Sequence, residues 1–87
     1  MDKTLFSKDY QVLLGLLREV RERSGITQQA VADSLGTTQS IVSKCERGER
    51  RLDVIELRRW CQSLNVPLAS FLADFEGILS VREQQKN

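Results

Sequence analysis

Three glycines, Gly25, Gly36 and Gly48, punctuate the middle of the chain in SGITQQAVADSLGTTQSIVSKCERG. Each follows a stretch whose apolar residues recur at helical spacing. Glycine just past such a stretch is a common helix stop, because it takes the left-handed conformation that other residues resist. The helices between them must be short, and an up-and-down four-helix bundle needs longer ones. Thr27 is placed as N-cap of QQAVADSL, with Val31, Ala32 and Leu35 inward, and Thr37 opens the next helix. Only about three residues then join the second helix to the third, so the two cross steeply.

The flanking segments fit the same scheme. KDYQVLLGLLREVRER repeats Val12, Leu13, Leu16, Leu17 and Val20 with the period of an amphipathic helix, and Ile26 can pack back on its last turn. After the loop ERRL, Asp53 caps a fourth helix with Leu57, Trp60, Cys61 and Leu64 on one stripe. Pro67 suits the first position of a fifth helix carrying Leu68, Phe71, Leu72 and Phe75. Beyond Gly77 only ILSV is apolar, and REQQKN reads as a fraying tail. No strand-period run and no internal repeat is visible, so the expectation is all-α, a compact five-helix domain. With 87 residues there is room for one core. The divisions expected are an N-terminal extension at 1–8 that forms no wrapping arm, a folded domain at 9–76, and a C-terminal tail at 77–87.

Thirteen Lys and Arg against twelve Asp and Glu leave a net charge of +1, so attraction to a polyanion has to come from clustering. Residues 44–51, KCERGERR, hold four cations and two anions. Two cysteines and no histidine remove four-ligand zinc patterns and His-based acid–base catalysis. No convergent carboxylate pair or phosphate loop is present either, so no enzyme, metal or cofactor is expected. Cys45 and Cys61 sit at apolar helical positions and read as buried free thiols. No secretory, transmembrane or lipidation pattern is found, which leads to an expectation of a cytoplasmic protein without a membrane partner.

The third helix, expected at 38–46, has an uncharged front of short hydrogen-bonding side chains: Thr38, Gln39 and Ser40. In a helix-turn-helix the second helix of the pair enters the major groove N-terminal end first. There Gln can bond adenine N6 and N7 together, and Ser or Thr can bond several base edges. Lys44, one turn on, reaches guanine O6/N7 or a phosphate, and Arg47, Arg50 and Arg51 follow where the chain leaves the groove. Glu at the front would be repelled by phosphates.

The residues at 13–72 resemble the lambda-repressor-like (Xre/Cro) helix-turn-helix family. LREVRERSGITQQAVADSLGTTQSIVSKCERGERRL is similar to its succession of an Arg-bearing first helix, Gly-apolar-Thr-Gln, apolar-Ala, Leu-Gly, a Ser/Thr-rich recognition helix and Glu-Arg-Gly. GTTQ looks like the start of the recognition helix in small phage repressors. The resemblance implies that Thr38, Gln39, Ser40 and Lys44 face bases, with Ser43 at the margin. It implies that Gln28 clamps a phosphate and buttresses the first base-reading side chain, and that Arg47, Arg50 and Arg51 touch phosphates. Arg21 and Glu46 match a pair that forms an internal salt bridge. Ser40 departs from relatives with a second Gln, Cys45 from the commoner Leu or Ile, and Leu52 from a frequent Pro.

The function implied is a transcription regulator acting as a homodimer on near-palindromic double-stranded DNA, in the manner of phage repressors and restriction-modification controller proteins. No small-molecule ligand is expected, and RNA polymerase is a further partner at some promoters. Phe71, Phe75, Ile78 and Leu79 are the candidate dimer contacts, since one core of this size does not absorb all of the last apolar residues. The rival reading is an antitoxin-like interaction module whose partner protein takes that same apolar patch.

Overall fold

The computed structural model describes residues 7–85, and among them the chain is five helices without a strand. These are α1 (Lys8–Arg23), α2 (Gln28–Leu35), α3 (Gln39–Glu46), α4 (Val54–Ser63) and α5 (Leu68–Gln84). The N-terminal extension expected at 1–8 lies, for its first six residues, outside the described part, as do the last two residues of the tail.

Side-chain acceptors start four of the helices. Ser7, Thr27 and Thr38 accept the N–H groups of Tyr10, Ala30 and Ile41 at 3.1, 3.0 and 3.2 Å. Asp53 and Glu56 form a reciprocal capping box at α4. The cap of α3 is Thr38, one residue later than expected. Thr37 is already committed to the end of α2, where its N–H bonds the Ala32 carbonyl at 2.9 Å. Gly36 makes that closure possible at φ 70°, a left-handed conformation that a side chain would strain. Pro67 likewise stands at the N-cap and not inside the helix. Its backbone is extended (ψ 138°), and its carbonyl accepts from the Phe71 N–H at 3.1 Å.

The core gathers Leu17, Val31, Val42, Trp60 and Phe71, none more than 2% exposed, with Cys45 and Cys61 between them as free buried thiols. Phe71 is therefore corrected from an interface candidate to a core residue. At 1% exposure it has no surface to offer another chain, because the first turn of α5 packs down between α1 and α4. Phe75 and Leu72 are half-buried against the same core. α5 does not stop near Gly77 but continues to Gln84. One helical glycine costs only about 1 kcal/mol, and Leu79 in the next turn is half-buried.

A second, smaller packing unit lies at the other end of α1. Tyr10 and Leu14, 8% and 6% exposed, cover the loop between α3 and α4. The Leu52 N–H donates to the Tyr10 hydroxyl at 3.0 Å, and the Arg51 guanidinium sits 4.5 Å above the Tyr10 ring. Gly48, at φ 80°, passes so close to Leu14 that a Cβ there would stand 3.3 Å from Leu14 Cδ1. Thus α1 fixes both the core and the basic loop. No single helix among the described residues is long and apolar enough to cross a membrane.

Candidate nucleic-acid interface

α2 and α3 are joined only by Gly36, Thr37 and Thr38, so their relative pose is set by packing through Val31, Ala32 and Val42, all 0% exposed. With Val42 and Cys45 turned inward, Thr38, Gln39, Ser40 and Lys44 are exposed and Ser43 is half-buried. The front of α3 carries no acidic residue, and the helix N-terminus adds its own partial positive charge there. The Thr38 oxygen is shared with the cap, leaving its methyl and hydroxyl proton for outside contacts.

Behind this front runs a connected set of hydrogen bonds. Arg21 donates from Nε and Nη2 to the two oxygens of Glu46, at 2.6 and 3.0 Å, and from Nη1 to the Ile26 carbonyl at 3.0 Å. Both side chains are withdrawn from water, at 10% and 3% exposure. The Gln28 amide donates to Glu46 Oε1 at 2.9 Å and in turn accepts from Gln39 Nε2 at 2.6 Å. The exposed amide of Gln39 is thereby tied, through α2, to a buried ion pair between α1 and α3. The bond to Gln28 uses one Nε2 proton, so Gln39 keeps its second N–H and its oxygen, the donor and acceptor that a bidentate contact to adenine needs.

The cations of the loop are all engaged within the chain. Arg47 donates to Glu49 from Nε at 2.7 Å and from Nη2 at 3.3 Å, while Nη1 donates to Ser43 Oγ. The hydrogen bonding to Glu49 raises the Arg47 guanidinium pKa further and holds the Glu49 carboxyl below the usual range. Arg50 lies 3.1 Å from Glu56 and 3.8 Å from the Cys45 sulfur. Burial pushes both thiols up, that of Cys45 against the opposing pull of Arg50, so both are neutral thiols near pH 7. The Lys44 ammonium forms no hydrogen bond among the described residues and faces Glu49 electrostatically.

The structure thus brings Gln28, Gln39, Glu46 and Arg21 together, gathers Ser43 and Arg47 around Glu49, and removes Phe71 to the core. Two features escape the sequence reading. Tyr10 is one: its spacing to Leu14 and Leu17 places it on the buried stripe of α1, which was a usable signal. The other is the exposure of Val54, Ile55 and Val81, at 59%, 65% and 53%.

Comparison with known proteins places this geometry. A helix-turn-helix family model matches residues 17–71. The structure of an Xre-family-like protein from Pseudomonas syringae pv. tomato superposes with a TM-score of 0.80 at 45% identity, over 87% of this chain and 93% of that one. The clp gene regulator ClgR of Corynebacterium glutamicum shares the fold, with a TM-score of 0.75 at 22% identity over 92% of this chain and 85% of that one. HTH-type transcriptional regulators of Sinorhizobium medicae and Rhizobium meliloti are 34% identical over 61 residues, which is 70% of this chain and 44% of theirs. The chain therefore spans less than half the length of these curated relatives.

Proposed function

The chain belongs to the lambda-repressor-like (Xre) helix-turn-helix family, and from that premise we propose that it is a sequence-specific DNA-binding regulator of transcription. α3 enters the major groove by its N-terminal end. Gln39 reads an adenine edge, Thr38 and Ser40 read neighbouring edges, Lys44 reaches a guanine or a phosphate, and Ser43 lies at the margin. Gln28, Arg47, Arg50 and Arg51 take phosphates. One observation carries the reading: Gln39 stands at the exposed front of α3 and is held there by Gln28 on the Arg21–Glu46 pair. A merely solvated helix face gains nothing from so anchored an amide.

The regulator acts as a homodimer, with the exposed part of α5 as the contact between copies. Ile78 and Val81 are 37% and 53% exposed beside half-buried Phe75 and Leu79, an apolar strip at the open side of α5. A two-fold pair places the α3 helices about one turn of DNA apart, roughly 34 Å, and demands a near-palindromic operator. Such a dimer works by occupying promoter sites, as phage repressors and restriction-modification controllers do.

Selection of random duplex DNA by the purified protein, followed by sequencing, tests this directly. The expected result is an enriched inverted repeat with half-sites about one helical turn apart. No enrichment, with binding that vanishes at moderate salt, would shift the weight to a protein-interaction module using the α5 strip.

A further inference from the structure

We propose that Glu49 occupies on Arg47 the place of a DNA phosphate, and so holds down the affinity of the loop for every duplex. This rests on the duplex-DNA reading of the loop and names the residue that sets its strength.

The geometry carries the inference. Both carboxylate oxygens of Glu49 meet two nitrogens of Arg47, at 2.7 and 3.3 Å, the two-pronged arrangement by which Arg also takes phosphate. The remaining terminal nitrogen bonds Ser43, so three of the five guanidinium N–H groups, including the whole Nε/Nη2 edge, are engaged before any DNA arrives. A phosphate can take the Nε/Nη2 edge of Arg47 only by displacing the carboxylate. The exchange trades one anion for another, and Glu49 is left charged beside the phosphodiester chain.

No fold role competes for the Glu49 carboxylate. Its N–H bonds the Lys44 carbonyl at 2.9 Å through the main chain, which any residue could supply. Arg47 is the sole hydrogen-bond partner of the carboxylate among the described residues, and the pair is more than half exposed on both sides. An ion pair in such a setting adds little to stability. Glu56, the partner of Arg50, differs because the same carboxylate also caps the Asp53 N–H at 3.0 Å. Held ionised by Arg47 and Lys44, Glu49 keeps its charge at neutral pH. The charge opposes the backbone and not a base edge, so its effect is the same on operator and random sequence.

The test compares Glu49→Gln and Arg47→Ala with the parent protein on the selected operator and on a random duplex, over a salt series. Glu49→Gln should tighten both complexes by the same factor, about fivefold, the worth of one unit-charge contact at about 4 Å in water. It should also steepen the salt dependence by roughly 0.9 of a log unit per log unit of salt, one added phosphate. Arg47→Ala should weaken both complexes and flatten the dependence by a similar amount. Unchanged affinity in Glu49→Gln, with Arg47→Ala still weakened, overturns the proposal and leaves the DNA-binding reading intact. If neither substitution changes any complex, the phosphate role of the loop fails and the proposal with it. A change confined to one base pair would mean that Glu49 reads a base, which also overturns it. Equal melting temperatures for parent and Glu49→Gln exclude a folding artefact.

Discussion

Arg21→Met removes a guanidinium that makes three hydrogen bonds, to both Glu46 oxygens and to the Ile26 carbonyl, from a side chain 10% exposed. What remains is the Glu46 carboxylate, 3% exposed, with only the Gln28 amide to balance it. Stranding a buried charge in this way costs about 3–5 kcal/mol, a large share of the 5–15 kcal/mol typical of a whole domain. For a domain of this size that lowers the melting temperature by roughly 12–40 °C. Arg21→Met combined with Glu46→Leu removes both charges. The losses left are the partners of the Ile26 carbonyl and of the Gln28 amide, about 1 kcal/mol each. The double variant should therefore lie within about 2 kcal/mol of the parent and above the single variant. Urea unfolding followed by far-ultraviolet circular dichroism measures all three. A double variant as unstable as the single one would refute the stranded-charge reasoning and make the site one of packing alone. If the double variant folds as expected, it isolates the second role of the pair: with Gln28 no longer anchored, preference at the Gln39 base position should weaken while the fold stands.

Gln39→Ala should cost about 1–3 kcal/mol on the operator and relax preference at one position of each half-site; an equal loss on all sequences would remove it from base reading. Gly48→Ala should destabilise the domain by about 1–2 kcal/mol, since the new Cβ sits at φ 80° and 3.3 Å from Leu14 Cδ1, and thermal unfolding reads the result. Ile78→Asp is preferable to any change at half-buried Phe75, because Ile78 is 37% exposed and its loss leaves the core intact. It should turn dimers into monomers in sedimentation velocity without lowering helix content, and an unchanged dimer would relocate the contact.

Helix ends were legible because residues at the ends themselves encode them. Thr27 and Asp53 supply acceptors to an N–H three positions on, and Gly25, Gly36 and Gly48 take φ values of 72°, 70° and 80°; the cap of α3 is Thr38, one residue after the expected Thr37, and the Ser7 cap was missed. The front of α3 was legible for the same reason, since the inward pair Val42 and Cys45 leaves only one direction for Gln39 and Ser40. The sorting of α5 was not. Leu68, Phe71, Leu72, Phe75, Ile78, Leu79 and Val81 spread around more of that helix than one neighbour can cover. Which of them is core depends on how α5 crosses α1 and α4, a property of the packed molecule. Phe71 enters the core where α5 meets α1 and α4, while Val81, ten residues further along the helix, stays 53% exposed.

The charge balance of the loop escaped for a different reason. Reading KCERGERR as a cluster weighs its cations and anions together, yet what matters for a phosphate is which cation is already held. Side chains two apart on a helix do not face each other, so helical spacing alone leaves Arg47 and Glu49 independent. Arg47, however, is the last residue of helical conformation after α3, and Gly48 at φ 80° turns the chain back on itself. That reversal delivers Glu49 to the guanidinium within 2.7 Å. The glycine that ends the helix thus also decides the electrostatics of the loop. A substitution there acts twice, straining the backbone against Leu14 and moving Glu49 away from the cation it covers.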